Sequence, residues 1–356
     1  MNDELLYQIA LSRLYRWSIR EERRLLEQYG SASEVWKHVS VPGTAEAMAA
    51  AEKEIAFIQE HQIKTYFYQD DTYPYRLKQC SDAPLLLFGK GHLDINHGKM
   101  VSIVGTRMAT DRGKELTRQF VFDLKEMVPD VTIISGLAYG IDIAAHKAAI
   151  EAGVPTIIIP AHGLDRIYPS LHRDVAVQAL EKGGILTEYT TGTEPEKMNF
   201  VARNRIVAGL ADAVVIVESK QKGGSLITAS MAVDYNRDVF SFPGRATDEA
   251  SHGCNQLIRD QKAALIECAE DLVQAMKWDE GKPKPVQTEM VELTELLDPV
   301  QQQLLQKLRE AEDGMHVNML VMETQMPYSD VVSNLMIMVM QGIVKDLPGG
   351  IYRALK

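Results

Sequence analysis

Three short stretches carry residue types suited to holding a phosphate or moving a proton. The first is Val104-Gly105-Thr106-Arg107, where the β-branched run Val101–Val104 stops at a glycine followed by a hydroxyl and a cation. The second is Ser135-Gly136-Leu137-Ala138-Tyr139-Gly140-Ile141-Asp142, with His146 four residues further on. The third is Gly223-Gly224-Ser225, which opens a helical pattern with Thr228 in its first turns. Glycine lets backbone N–H groups approach an anion, and a helix start adds unpaired donors and a favourable dipole. Arg107 adds a planar fork able to grip a phosphate through two hydrogen bonds. Asp142 and His146 at i, i+4 also suit acid–base chemistry. The simpler reading has Asp142 capping backbone donors and His146 in a buried hydrogen-bond network, because no Ser or Cys nucleophile pattern and no metal spacing accompanies them.

The identity of the anion is narrowed by what the glycines fail to spell. Neither GxGxxG nor GxxxxGK[ST] follows any apolar run, which speaks against an NAD or ATP enzyme. A different signal lies in Lys197-Met198-Asn199-Phe200-Val201-Ala202-Arg203-Asn204-Arg205, which holds three cations, no acid and one aromatic in an otherwise acidic chain. Cations that follow phosphates, beside an aromatic on which a base stacks, are the usual recipe for single-strand binding. The competing reading pairs Arg203 and Arg205 with carboxylates such as Glu188 and puts Phe200 in the core. Composition leaves both open. The isolated Cys80, Cys254 and Cys268 indicate neither a disulfide framework nor a metal site, and no cofactor is expected.

These stretches need a scaffold, and the pattern around them supplies one. Apolar runs at Val101–Val104, Val131–Ile134, Pro155–Ile159, Gly184–Thr187, Ala213–Val217 and Asp238–Phe242 alternate with helical patterns at Gly113–Val128, Ile141–Ala152, Asp174–Leu180, Ser225–Tyr235 and Ala269–Met276. Such alternation predicts a Rossmann-like α/β fold, a mostly parallel sheet with helices on both faces. Ligands of such sheets bind beyond the carboxyl ends of the strands, where all three glycine turns fall.

Residues 1–65 read as a small helical domain, with Ser31 or Ser33 capping a helix through Val35-Trp36. Its arginines, Arg13, Arg16, Arg20, Arg23 and Arg24, suit either phosphate contact or a solvated face, and the solvated face is the simpler reading. The Rossmann-like domain is expected over 66–276, then a linker over 277–298 containing Lys282-Pro283-Lys284-Pro285, then a winged-helix domain over 299–356. In that last domain the helix Ser329–Gln341, placed where a recognition helix belongs, holds no lysine or arginine. Duplex reading through it is therefore not expected. The methionines around it (Met315, Met319, Met322, Met326, Met336, Met338 and Met340) suit adaptable core packing.

Among 356 residues, 46% are hydrophobic and 24% charged, an ordinary globular balance for two or three domains. The net charge of -11 argues against coating nucleic acid with the whole surface, so any DNA contact must be a local basic groove. The acidic start lacks a secretory pattern, and no apolar run reaches the roughly 18 residues of a membrane span, so a cytoplasmic protein is expected.

From Ser102 to about Leu272 the chain resembles the DNA processing A (DprA/Smf) family. The matching stretches are Ile103–Arg107, Ser135–Asp142 with His146, Gly163-Leu164-Asp165 with Tyr168-Pro169, and Thr187-Glu188. Further on come Phe200 with Arg203-Asn204-Arg205, Gly223-Gly224-Ser225, Phe242-Pro243-Gly244 and Gly253–Ile258. The resemblance implies a non-enzymatic homodimer that binds and protects incoming single-stranded DNA and helps load the RecA recombinase in natural transformation. Carried over by position, it implies DNA contacts from Gly105, Thr106, Arg107, Lys197, Arg203, Asn204, Arg205, Gly223, Gly224 and Ser225, with Phe200 as the stacking platform. Thr187 and Val201 depart from the family's commoner serine and proline without touching that reading. The alternative is a nucleotide or nucleoside-phosphate hydrolase on a Rossmann-like scaffold, using a carboxylate such as Asp142 or Glu188. A third possibility is a winged-helix regulator with a ligand-sensing α/β domain.

Overall fold

The computed structural model describes residues 3–14, 18–38, 41–278, 297–311 and 313–355. The expected linker lies almost wholly outside these residues, as does Arg16. Four helices come first: α1 (Asp3–Leu14), α2 (Ile19–Tyr29), α3 (Ala32–His38) and α4 (Thr44–His61). The Ser31 hydroxyl accepts from the Glu34 N–H at 3.2 Å, which caps α3. Leu11, Leu26, Val35 and Ile58 of these helices form one core with Phe67, Leu86 and Phe88. Those three residues belong to an antiparallel pair, β1 (Lys64–Phe67) and β2 (Leu86–Gly91), so the helical domain closes against a sheet edge.

A single nine-stranded sheet organises the rest of the α/β part. After α5 (Tyr75–Lys78) and β2 come β3 (Lys99–Val104), α6 (Asp111–Met127), β4 (Val131–Ser135), α7 (Ile141–Ala152) and β5 (Thr156–Ile158). Next are α8 (Arg173–Ala179), β6 (Gly184–Thr187), α9 (Lys197–Gly209), β7 (Ala213–Ile216), α10 (Gly224–Asp234) and β8 (Asp238–Ser241). The series ends with α11 (His252–Arg259), β9 (Ala264–Leu265) and α12 (Ala269–Ala275). The strand order is β1-β2-β6-β5-β4-β3-β7-β8-β9, parallel from β6 to β9, with β1 and β2 joined antiparallel.

The expected Rossmann-like sheet is therefore present, and both its faces are covered. Strand alternation sends Val101 and Ile103 toward α6, α7 and α12. It sends Met100 and Val104 toward α9, α10 and α11. The chain builds outward from β3 to β6, then returns through α9 to place β7 on the other side of β3. That reversal opens a crevice at the carboxyl ends of β3 and β7, the usual ligand position in such sheets.

No pattern in the sequence marks β1, β2, β9 or α9. The last is the consequential omission, because α9 holds the whole segment Lys197–Arg205. Beyond residue 297 lie α13 (Pro299–Glu310), β10 (Met315–His316), α14 (Val317–Thr324), α15 (Tyr328–Met340), β11 (Val344–Leu347) and β12 (Ile351–Ala354). These are the three helices and terminal hairpin read from the sequence, with β10 added to make a three-stranded sheet. Met338 is buried in the core of this part, whereas Met322, Met336 and Met340 face outward.

Candidate nucleic-acid interface

The turns after β3 and β7 lie side by side because backbone bonds tie them. The Thr106 N–H donates to the Glu218 carbonyl at 2.7 Å, and the Thr106 carbonyl accepts from Ile141 N–H at 3.2 Å. The Gly140 Cα packs on the Thr106–Arg107 backbone with φ of 79°, so a side chain there would overlap the Thr106 carbonyl. At Gly105 a Cβ would strike Ile141. These two glycines serve close approach of three loops, which holds Arg107 at the rim.

Arg107 is exposed, and its guanidinium carbon lies 5.0 Å from the centre of the Phe200 ring. Phe200, half-buried on α9, in turn faces Tyr168 with ring centres 6.0 Å apart and planes tilted by 52°. Tyr168 is fixed through its N–H, which donates to His162 Nε2 at 3.1 Å, while His162 Nδ1–H donates to the Gly163 carbonyl at 2.8 Å. On the other side Tyr139 packs against His172, with centres 4.9 Å apart at 68°. The two tyrosines are 46% and 47% exposed, unusually open for aromatics beside a packed sheet. Lys197, the first residue of α9, is exposed, and Asn204 is half-buried on the same helix.

Gly223 caps α10, and Gly224 has open space where a Cβ would stand, so its backbone is accessible. The Ser225 hydroxyl is not. It is buried and donates to Ser219 Oγ at 2.8 Å, so only its backbone N–H remains for a ligand. Basic side chains absent from the sequence-derived set stand on neighbouring loops and at the start of α6. Arg112, Lys222 and Arg245 are exposed, and Lys220 pairs with Glu249 at 3.0 Å. Their common signal was position just past a strand end, a feature legible in the sequence.

Two expected phosphate contacts are corrected. Arg203 is only 3% exposed, and its Nη1 donates to the Gly136 carbonyl at 2.6 Å and to the Ile159 carbonyl. It joins the ends of β4 and β5 from beneath, and a Cβ at Gly136 would displace the guanidinium. Burial pulls the Arg203 pKa down, and nearby Asp142 opposes that pull. Arg205 is 7% exposed, donates to the Asp82 carbonyl at 2.7 Å and pairs with Glu188. The carboxylate-pairing alternative therefore holds for Arg205. A helical wheel sorts these roles. Lys197, Phe200 and Asn204 share one stripe, whereas Asn199, Arg203 and Ile206 share the opposite one.

Asp142 and His146 fit the structural reading. Asp142 is buried, which pushes its carboxyl up. Arg203 and the Ala138 N–H, 3.4 Å from its Oδ2, act in the opposite direction. His146 Nδ1 lies 2.7 Å from the Thr156 hydroxyl, and burial pulls its pKa down to about 3, so it stays neutral. Glu218, next to the crevice, accepts from the Thr110 N–H at 2.9 Å and from its hydroxyl at 2.5 Å.

In the helical domain, Arg23 donates to the carbonyls of Cys80, Ser81 and Ala83, and Arg13 to the Thr190 hydroxyl. Arg23 therefore joins domains and departs from the solvated face expected of it, whereas Arg13 reaches Thr190 while staying exposed, and Arg20 and Arg24 are exposed as expected. No group of three or more His, Cys, Asp or Glu side chains fit to hold a metal ion occurs among the described residues.

Fold and site together define a doubly wound α/β protein whose switch-point crevice combines accessible backbone donors, cations and exposed aromatics. The model of the DNA recombination-mediator protein A family matches residues 64–277. DNA processing protein DprA of Streptococcus pneumoniae is 40% identical over 204 residues, 57% of this chain and 71% of that protein. DNA processing protein DprA of Bacillus subtilis is 36% identical over 223 residues, 62% of this chain and 74% of that protein. The solved Streptococcus pneumoniae structure aligns with a TM-score of 0.60 at 33% identity, covering 70% of this chain and 87% of that one. DNA processing protein A from Helicobacter pylori, whose structure gives insight into its single-stranded DNA binding mode, aligns with a TM-score of 0.55 at 30% identity, covering 61% and 97%. The chain belongs to the DNA recombination-mediator protein A (DprA/Smf) family.

Proposed function

We propose that the crevice binds single-stranded DNA. The protein then acts as a non-catalytic cytoplasmic homodimer that protects the strand and helps load RecA during recombination of incoming DNA. The observation that carries the reading is the Arg107 guanidinium lying over the Phe200 ring at the open end of the sheet. A phosphate at Arg107 places the attached base within reach of Phe200, and Tyr168 and Tyr139 extend the apolar surface for neighbouring bases. Thr106, the Gly105 and Gly223–Gly224 turns, Lys197 and Asn204 complete the contacts, while Arg203 and Arg205 support them from inside. Stacking on such platforms contributes about 1–3 kcal/mol per base and tolerates any sequence. The RecA step rests on membership of a recombination-mediator family.

The hydrolase alternative requires a carboxylate free to act at the crevice. Glu218 is engaged by Thr110, Glu188 by Arg205, and Asp142 is buried behind the β4 turn. The deciding experiment is fluorescence anisotropy with a labelled single strand and its matched duplex across a salt series, for wild type and Arg107→Ala/Lys197→Ala. Tight, salt-sensitive single-strand preference lost in the folded double variant supports the reading. Binding that is absent, or unchanged in the double variant, overturns it.

A further inference from the structure

The segment between β6 and α9 is gripped from both sides. On one side are the N-terminal helices. Glu54 of α4, itself buried, accepts from the Thr191 N–H at 2.9 Å and from the Thr191 hydroxyl at 2.6 Å. Arg13 of α1 donates to the neighbouring Thr190 hydroxyl. On the other side the same segment fixes the first turn of α9. The Tyr189 hydroxyl donates to the Asn199 carbonyl at 3.1 Å, and the Asn199 amide donates to the Glu194 carbonyl at 2.8 Å. Glu196 stands at the N-cap without a side-chain cap, so this turn depends on the segment before it.

A carboxylate withdrawn from water is costly unless its partners repay it. Burial pushes Glu54 up, and the two Thr191 donors pull it back. Spending such a group on a loop is an expensive way merely to fasten two domains, whose shared apolar core already joins them.

We infer that the N-terminal helical domain is a positioning module for the DNA-binding helix. Through Glu54 and Arg13 it sets the Thr190–Glu196 segment, and through that segment the placement of the Phe200 ring. The inference rests on the single-strand reading of the crevice.

The test measures single-strand affinity of full-length Glu54→Ala over a salt series, with amide hydrogen exchange. Connected networks of this kind transmit effects of roughly three- to ten-fold in affinity, which is the expected loss. The slope of log affinity against log salt stays at the wild-type value, because the phosphate contacts themselves are kept. Exchange accelerates over residues 190–201 and not in β3 or β4. On a Phe200→Ala background the Glu54→Ala loss largely disappears, as required if Glu54 acts through that ring's placement. If Glu54→Ala does not fold, Thr191→Val removes only the hydroxyl donor and is read in the same assays. Wild-type affinity in the folded variant beside weakened Arg107→Ala and Phe200→Ala overturns the inference alone, as does full additivity with Phe200→Ala. Silent Arg107→Ala and Phe200→Ala variants overturn the single-strand site and the inference with it.

Discussion

Arg203 separates a cation that supports a binding surface from one that touches the ligand. In Arg203→Met the aliphatic volume is largely kept, but the carbonyls of Gly136 and Ile159 lose their charged donor. Hydrogen bonds from charged groups contribute about 1.5–3 kcal/mol each, and relief of the guanidinium's desolvation offsets part of their loss. Asp142 simultaneously loses the strongest of the charges that offset its burial. Together these losses come to about 3 kcal/mol, so a drop in melting temperature on the order of 10 °C is expected.

Binding data then decide the mechanism. The affinity of Arg203→Met for a single strand falls because the Ser135–Gly140 turn is displaced. The salt slope does not fall, whereas loss of a true phosphate contact reduces it by about 0.7 for single strands. Thermal melting monitored by circular dichroism and anisotropy titrations between low and moderate salt measure the two quantities on one preparation. A variant that melts with wild type and binds with a slope smaller by about 0.7 would show Arg203 to be a phosphate ligand and refute the clamp.

Arg107→Ala and Lys197→Ala each lower the salt slope by about 0.7, while Phe200→Ala weakens binding by about 1–3 kcal/mol with the slope unchanged. The opposite pattern, slope lost at Phe200, would contradict the assigned roles. Gly136→Ala displaces the Arg203 guanidinium from the position a Cβ would occupy, so its cost and that of Arg203→Met are strongly sub-additive in a double-mutant cycle of unfolding free energies. Additive costs would mean that the two residues do not share one space. Burial pushes the Glu22 carboxyl up to about 8 against the pull of Ser12 and Arg23. Because its folded pKa lies above the unfolded one, its stabilising share is full below about 4.5 and is lost as pH rises toward 8. Glu22→Gln is therefore more stable than wild type at pH 7, by up to about 3 kcal/mol, and the difference closes near pH 4.5. Melting curves whose separation ignores pH would refute the assignment.

The α/β scaffold was legible because a strand buried on both faces must be apolar throughout, and runs such as Ala213–Ile216 have no other economical fate. The glycine turns were legible for a related reason, since each ends such a run where helix starts gather. The helix α9 was not legible, because its inward face carries Asn199, Arg203 and Arg205 alongside Ile206 and Val207. Polar residues on the buried side erase the apolar stripe that reveals a helix. The fate of those arginines depends on acceptors remote along the chain, at Gly136, Ile159, Asp82 and Glu188. No local composition contains that information. The same holds for Arg23, whose acceptors lie at the end of α5 and the approach to β2.

The burial of Arg203 and Arg205 changes how the acidic balance bears on ligand choice. Of the three cations in Lys197–Arg205, only Lys197 is exposed, so the segment is far less basic toward solvent than its composition suggests. The outward charge comes instead from Arg107, from Arg112 in the first turn of α6, and from Lys222 and Arg245 on two further loops, set in a chain with net charge -11. A duplex offers its phosphates at about one charge per 1.7 Å on a stiff rod and keeps its bases stacked away from Phe200, Tyr168 and Tyr139. On the proposed reading, a single strand bends to bring separate phosphates to separate cations and turns its bases onto those rings. Selection of single strands over duplex then follows from dispersed cations beside open aromatics, with the acidic remainder of the surface disfavouring the duplex further.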